Sequence, residues 1–214
     1  MRTKVLLGAA ALAASLASSM ADSNVYSLNV VGYYNIPVAA NAKVMIANQL
    51  NTTNNTIDAL LKEPMIGDND VIYKYSGGFN AATYSSDDGY WSPGSMTMNP
   101  GEAVFYKPSA ARTLTFVGEV LQGHLVNTLP LGVKVMRASI VPQAGSLDTD
   151  LGVVADDNDV AYTFNGGYTA YTYSTDDGYF SPTCNLAVGQ GFFYIKAPTG
   201  NPANANWVRN FTVQ

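Results

Sequence analysis

Apolar and polar residues alternate over short stretches of this chain, as they do in strands with one buried face. In the first such stretch, Val25–Val38, the apolar side chains that share one face are Tyr26, Leu28, Val30, Tyr34 and Ile36. A second apolar stretch, KVMIANQL from Lys43, follows it. We predict a strand for each stretch.

The segment after the second strand has the spacing of a short amphipathic helix. Asn55 is placed to cap it, and Asp58 lies in the first turn, where the helix dipole favours a negative charge. Ile57, Leu60 and Leu61 form an apolar stripe. In the second half of the chain, a shorter version of this pattern is made by Ser146, Leu147, Asp148 and Leu151.

A hairpin is predicted next, because VIYKYSGGFNAATYS places Gly77-Gly78 between two strand-like runs. Glycine supplies the positive φ angles that tight hairpin turns require. The phrase DDGYWSP, a strand ending in an aromatic run and a closing strand complete the series.

The whole series occurs twice. DNDVIYKYSGGFNAATYSSDDGYWSP aligns with DNDVAYTFNGGYTAYTYSTDDGYFSP, so that Asp70 matches Asp159 and Gly89 matches Gly178 with the same offset. So many ordered matches indicate an internal duplication. We predict a mainly β protein of two tandem homologous units, 22–119 and 120–214, each a small β-barrel or sandwich of about six strands with one short helix.

The first residues are typical of an export signal. Arg2 and Lys4 precede an apolar run, 5–16, that is shorter than the roughly 20 residues needed to span a bilayer, and small residues follow it. We predict a cleaved signal peptide over 1–21 and therefore a secreted protein, placed in the periplasm, on the cell surface or outside the cell. No later stretch is apolar enough for a transmembrane segment.

Charge and cysteine content narrow the function classes. The net charge is −5 and no basic run occurs, so nucleic acid is not an expected partner. Cys184 is the only cysteine, so no intramolecular disulfide can form. The fold must be stabilised by buried apolar surface, which a chain of 214 residues can supply.

The repeated DDGY loops are the first candidate site. An Asp-Asp-Gly sequence after a strand is an ordinary turn, and we favour that interpretation. The alternatives are calcium binding by the aspartates and stacking of a glycan on the aromatic rings. The residues concerned are Asp87, Asp88, Tyr90, Trp91, Asp176, Asp177, Tyr179 and Phe180.

A second acidic pair precedes each hairpin. Asp68 and Asp70 in the first copy, and Asp157 and Asp159 in the second, occur where Asx turns commonly enter a strand. If they meet the DDGY loops in space, each copy would contain one possible calcium site. No other cofactor is expected.

Catalytic residue sets are scarce, and we predict that the protein is not an enzyme. His124 is the only histidine and has no nucleophile-elbow sequence near it. Glu102 is replaced by Gln190 in the second copy, and Cys184 has no counterpart in the first. Candidates for exposed rings on a glycan-binding face are Tyr33, Tyr34, Tyr168 and Tyr171.

Four phrases of this chain carry a family resemblance: VYSLNVVGYYN, TFVGEVLQG, SIVPQAG and WVRNFTV. They resemble a group of duplicated, secreted, β-rich bacterial proteins of uncharacterised function, over essentially the whole chain after residue 21. Such proteins typically have a Pro-Gly-Glu-Gly-Phe-Phe phrase in both copies. Here Ala103 and Gln190 depart from it. The resemblance implies an envelope or extracellular protein and supplies no catalytic residues.

These observations favour a non-enzymatic structural or cell-surface protein that self-assembles by strand pairing. The predicted assembly arm follows the signal peptide, and an exposed strand-like arm can pair with a free sheet edge on a neighbouring copy. The alternative is a carbohydrate- or calcium-dependent binding module that uses the DDGY loops. The apolar residues of the arm are Val25, Tyr26, Leu28 and Val30.

Overall fold

The computed structural model describes residues 30–213 and is mainly β. The predicted signal peptide and the arm residues Val25, Tyr26 and Leu28 lie outside the described residues. One α-helix, α1 (Ile57–Leu60), and one 3-10 helix (Pro202–Ala205) occur within 30–213. The strands are β1 (Val31–Val38), β2 (Val44–Ala47), β3 (Val71–Tyr75), β4 (Phe79–Ser85), β5 (Tyr90–Ser92), β6 (Ala103–Lys107), β7 (Arg112–Glu119), β8 (Gly123–Thr128), β9 (Lys134–Arg137), β10 (Gly145–Ser146), β11 (Val160–Phe164), β12 (Tyr168–Ser174), β13 (Tyr179–Ser181), β14 (Asn185–Leu186), β15 (Phe192–Ile195) and β16 (Asn206–Phe211).

Two five-stranded antiparallel sheets form the centre of the molecule. The first has the order β2-β6-β3-β4-β5 and the second has the order β9-β15-β11-β12-β13. Each strand of the first sheet thus has a counterpart at the same place in the second. No sheet formed by the described residues closes into a barrel, so the barrel alternative of the prediction is wrong.

Shorter two-stranded ribbons lie outside these sheets. β1 pairs with β7 over its full length, from Val31↔Glu119 to Val38↔Arg112. β8 pairs with β16. Residues 120–122 join β7 directly to β8. A third, two-residue ribbon pairs β10 with β14.

The sheets bury apolar side chains on both faces. On β6, Val104 and Tyr106 face a core formed with α1 and the β1–β7 ribbon. Ala103 and Phe105 face a separate core between the two five-stranded sheets, where Phe193 of β15 meets them. Because both faces of these strands are covered, consecutive residues of the aromatic runs are all buried, and the runs do not alternate between apolar and polar residues.

A loop from each sheet also forms hydrogen bonds at the edge strand of the other sheet. The carbonyl of Gly101, before β6, accepts a hydrogen bond from Ala138 N beside β9 (3.0 Å). In return, the carbonyl of Gly189, before β15, accepts one from Ala47 N of β2 (2.8 Å), and Gly189 N donates to Gln49 Oε1. Each half therefore covers part of the edge strand of the other.

The predicted helix forms in the first half only. α1 follows Thr56, whose side chain makes no capping bond, while Asn55 Oδ1 accepts from Thr52 N (3.1 Å). In the second half the helix prediction is wrong, because residues 147–151 form hydrogen-bonded turns. Thr149 N donates to Asp148 Oδ1 and Ser146 N donates to Asp150 Oδ2, and such local bonds compete with helix formation.

Candidate functional site

The two DDGY phrases form equivalent turns between β4 and β5 and between β12 and β13. Gly89 N donates to the Ser85 carbonyl (2.9 Å), and Gly178 N donates to the Ser174 carbonyl (2.8 Å). Both glycines have positive φ, 75° and 78°. The residues fold this way because only glycine adopts that φ without strain.

The eight candidate residues at these turns separate into surface and core positions. All four aspartates, Asp87, Asp88, Asp176 and Asp177, are exposed. Tyr90 and Tyr179 are each 50% exposed, whereas Trp91 and Phe180 are buried in the cores of the two halves. A ligand at the turns would therefore meet the aspartates and tyrosines.

The buried aromatic residue that follows each turn is held by a further aspartate, Asp58 in the first half and Asp148 in the second. Trp91 N donates to Asp58 Oδ1 of α1 (3.1 Å), and Trp91 Nε1 donates to the Leu61 carbonyl (3.0 Å). In the second half, Phe180 N donates to Asp148 Oδ2 at 3.4 Å. The sequence pattern of the helix segment therefore reflects a shared contact, even though only one of the two segments is helical.

The second acidic pair does meet the DDGY turns, through its first member. Asp68 Oδ1 accepts from Ser86 N (3.1 Å), and Asp157 Oδ1 accepts from Thr175 N (3.2 Å). Within residues 30–213, however, no group of three or more histidine, cysteine or acidic side chains is arranged to hold a metal ion. Calcium binding at these turns stays a prediction.

The other member of each pair is buried, and its carboxylate accepts hydrogen bonds from separate segments of the chain. We call this arrangement a latch. Asp70 is fully buried before β3. It accepts hydrogen bonds from Gly67 N (3.0 Å), from the Tyr106 hydroxyl (2.6 Å) and from Ser109 N (2.7 Å). The nearest cation is Arg112, with its Nε 3.6 Å from Asp70 Oδ2.

Asp159 makes the same latch in the second half with a different cation. It accepts from the Tyr194 hydroxyl (2.6 Å) and from Ala197 N (2.7 Å). Lys196, which is also fully buried, donates to Asp159 Oδ2 at 2.8 Å and pairs with Asp156 at 2.9 Å. Burial and then the bond to Asp159 raise the pKa of Tyr194 above its ordinary value. Each of these buried aspartates therefore joins the start of a hairpin to the end of the adjacent strand.

Glu102 and Gln190 occupy equivalent loops and close them in the same way. Glu102 Oε2 accepts from Asn99 N (2.8 Å), and Gln190 Oε1 accepts from Ala187 N (2.9 Å). Burial acts to raise the pKa of Glu102, but the hydrogen bond from Lys74 and the others it accepts hold that pKa below its usual range. The exchange of glutamate for glutamine therefore preserves the contact that both loops need.

His124 lies apart from these groups, on β8. Its ring is exposed, and its Nδ1 is 3.0 Å from Asn210 Oδ1. Cys184 is buried in the core of the second half. Of the tyrosines considered for exposed rings, Tyr33 and Tyr168 are exposed, whereas Tyr34 and Tyr171 are partly buried.

Sequence reasoning missed a cluster at the junction of the two sheets, which we call the aromatic–lysine cluster. Lys43 Nζ lies 4.3 Å from the ring centroid of Phe105, and Lys134 Nζ lies 4.2 Å from that of Phe193. The signals in the sequence are the repeated KVM phrase and Tyr168, which was a candidate for an exposed ring. The cluster comprises Lys43, Tyr73, Tyr75, Phe79, Phe105, Lys134, Tyr162, Phe164, Tyr168 and Phe193.

Comparison with known proteins gives no match: no family model fits the chain, and neither the curated proteins nor the solved structures contain a significant relative. Within the described part of the chain, no helix has the length and apolar character needed to cross a membrane.

Proposed function

We propose that the chain is a non-enzymatic, secreted structural or cell-surface protein that assembles with copies of itself through its N-terminal strand. The observation that carries this proposal is the free edge of β1. This eight-residue strand pairs with β7 along one edge, and no other strand of the described residues pairs with it. A long unpaired edge is a template for strand addition.

Hydrogen-bond direction supports the same proposal. The Val30 carbonyl accepts from Val120 N, which fixes the even-numbered residues of β1 as those that bond to β7. The N–H and C=O groups of Val31, Tyr33 and Asn35 therefore point away from β7. They form a short row of donors and acceptors that an incoming strand would satisfy.

The outward face of the ribbon is also apolar. Tyr33 is 75% exposed and stands opposite Val117, which is exposed as well, and Val31 is exposed two residues before Tyr33. Surface strands usually carry polar or charged side chains at such positions. The predicted arm, whose first residues lie outside the described chain, leads directly into this strand through Val30, which packs on the core of the first half.

The tandem organisation belongs to the same proposal. We take 22–119 and 120–214 as homologous units, supported by the matching strand orders of the two central sheets and by the paired latches of Asp70 and Asp159. Two similar units would present two similar ribbons, but only the β1–β7 ribbon continues from the predicted arm, so assembly is proposed through that ribbon alone.

The test uses the mature chain beginning at Asp22 and a matched pair of ribbon variants. Tyr33→Lys with Val117→Lys places charges on the outward face of the β1–β7 ribbon. Val126→Lys with Val208→Lys does the same on the β8–β16 ribbon, where those residues are also paired and exposed. Sedimentation velocity and electron microscopy measure assembly.

We expect the first double variant, and a variant lacking residues 22–29, to shift the protein towards monomer, while the second double variant assembles as the parent does. A monomeric parent without filaments at high concentration, or an equal loss in both lysine variants, would refute assembly through β1.

A further inference from the structure

The aromatic–lysine cluster reaches the surface. Phe79 is 49% exposed and Tyr168 is 52% exposed, although Phe105 and Phe193 beneath them are buried. The exposed rings are supported from below, since Phe79 and Phe105 have centroids 5.9 Å apart and Tyr168 and Phe193 have centroids 6.1 Å apart. Rigid, half-exposed rings are suited to stacking against a flat C–H surface such as that of a sugar.

Two positive charges flank these rings without an acidic partner. Lys43 and Lys134 each lie over several rings of the cluster, and neither forms an ion pair within residues 30–213. This is unusual in a chain with a net charge of −5. The ring contacts position both ammonium groups while leaving their charge available to an anion.

Grooves beside the cluster provide groups that can bind hydroxyls. One, of about 210 Å³, lies between Tyr75–Gly77 at the tip of the first hairpin and Val133–Arg137 of the second half. Its counterpart, of about 260 Å³, lies between Phe164 and Asn165 at the other hairpin tip and the β2 edge. The Ser76 hydroxyl and the Asn165 amide are available there, and a Cβ added at Gly77 would meet only open space.

We propose that the aromatic–lysine cluster binds an anionic carbohydrate built of uronic acid units. Sugar rings would stack on Phe79 and Tyr168, and their carboxylates would pair with Lys43 and Lys134. The two similar subsites lie side by side, so one oligosaccharide would contact both and gain from bivalency. An acidic peptide would satisfy the lysines but would make less use of the exposed rings and of the hydroxyl-binding groups.

The test is calorimetric titration of the mature protein with an oligogalacturonate and with a neutral malto-oligosaccharide of equal length. We expect the uronate to bind at least about tenfold more tightly than the neutral sugar, and to bind more weakly as salt is added. Lys43→Gln with Lys134→Gln should weaken uronate binding by about tenfold or more. Phe79→Ala with Tyr168→Ala should weaken binding of both sugars.

The control is Lys62→Gln, which removes one charge from an exposed position after α1, and it is compared with Lys43→Gln and Lys134→Gln made singly. It should leave uronate binding within about twofold of the parent. The proposal is overturned if the control loses as much as the cluster variant, or if the parent binds neither sugar. It is also overturned if the cluster variant changes self-association and not uronate binding, because the occupant is then a second copy of the chain.

Discussion

Replacing Asp159 by alanine should be among the most damaging single substitutions in the second half of the molecule. Asp159 joins the residues before β11 to the end of β15, through Asp156 N, the Tyr194 hydroxyl, Ala197 N and Lys196 Nζ. The substitution leaves the buried Tyr194 hydroxyl, the buried Ala197 N and the part-buried Asp156 N without this acceptor. It also leaves the buried Lys196 ammonium with Asp156 as its only carboxylate.

The magnitude follows from these contacts. Removing one member of a buried ion pair costs about 3–5 kcal/mol of unfolding free energy, because the remaining charge stays buried. The unsatisfied hydroxyl and amide groups each cost about 1–3 kcal/mol taken alone, but these losses overlap with the first. We therefore expect Asp159→Ala to lower the unfolding free energy by about 3–5 kcal/mol and the melting temperature by about 6–20 °C.

Two further variants separate charge from hydrogen bonding. Asp70→Ala removes the equivalent latch, but its cation, Arg112, keeps 23% of its side chain exposed, whereas Lys196 has none exposed. Its loss should be smaller, because the Arg112 side chain is partly exposed and its buried Nε makes no hydrogen bond to Asp70 that could be lost. Lys196→Met removes only the ammonium group and leaves Asp159 its three neutral donors, so it should also cost less than Asp159→Ala.

Urea unfolding followed by tryptophan fluorescence measures these changes. Each half has one buried tryptophan, Trp91 in the first and Trp207 in the second, so Trp91→Phe provides a background that reports on the second half alone. A loss below about 1 kcal/mol for Asp159→Ala, or a loss no greater than that of Asp70→Ala, would refute the reasoning from a buried, compensated charge.

Three other predictions follow from the structure. Burial acts to raise the pKa of Glu102 and Asp156, but the hydrogen bonds that they accept, above all from the lysines paired with them, hold both pKa values low. The stability that they contribute should be present above the unfolded carboxyl pKa of about 4 and be lost as the pH falls from about 5 to about 3, measured as the urea midpoint. Gly89→Ala and Gly178→Ala should each cost about 1 kcal/mol in urea unfolding, because alanine is strained at positive φ. Burial, followed by a nearby carboxylate, raises the pKa of the Cys184 thiol to about 12, so a thiol reagent should label it only as the protein unfolds.

Each of these predictions has a contrary outcome. A urea midpoint independent of pH over this range would show that the paired carboxylates add no stability. Gly78→Ala and Gly167→Ala are the controls for the turn glycines, since neither has positive φ and both face open space; an equal loss at all four would exclude the conformational explanation. Stoichiometric labelling of Cys184 in the absence of denaturant would contradict its burial.

Local features of the fold were predictable because they depend on neighbouring residues. The hairpin around Gly77-Gly78 and the DDGY turns form where turn chemistry places them. The latches were not predictable in this way. Asp70 and Asp159 follow exposed neighbours in an Asx-rich segment, and only the tertiary fold brings Tyr106 and Tyr194 to them.

The packing of the two sheets against each other could not be predicted from a sequence pattern either. Runs such as Ala103–Tyr106 and Phe192–Tyr194 indicate strands buried on both faces, but they do not say what covers the second face. The aromatic–lysine cluster was missed for the same reason, because its rings come from both halves. The helix prediction failed at Ser146–Leu151, where hydrogen bonds to nearby side chains replaced the helical pattern.

The contacts between the two sheets make each half of the molecule dependent on the other. A lone half would leave the face around Phe105 or Phe193 open to water, together with an edge strand that the opposite Gly101 or Gly189 loop now covers. Because both halves lie in one polypeptide, the covering surface is present at a fixed effective concentration. Dilution would separate two independent chains but does not weaken this contact.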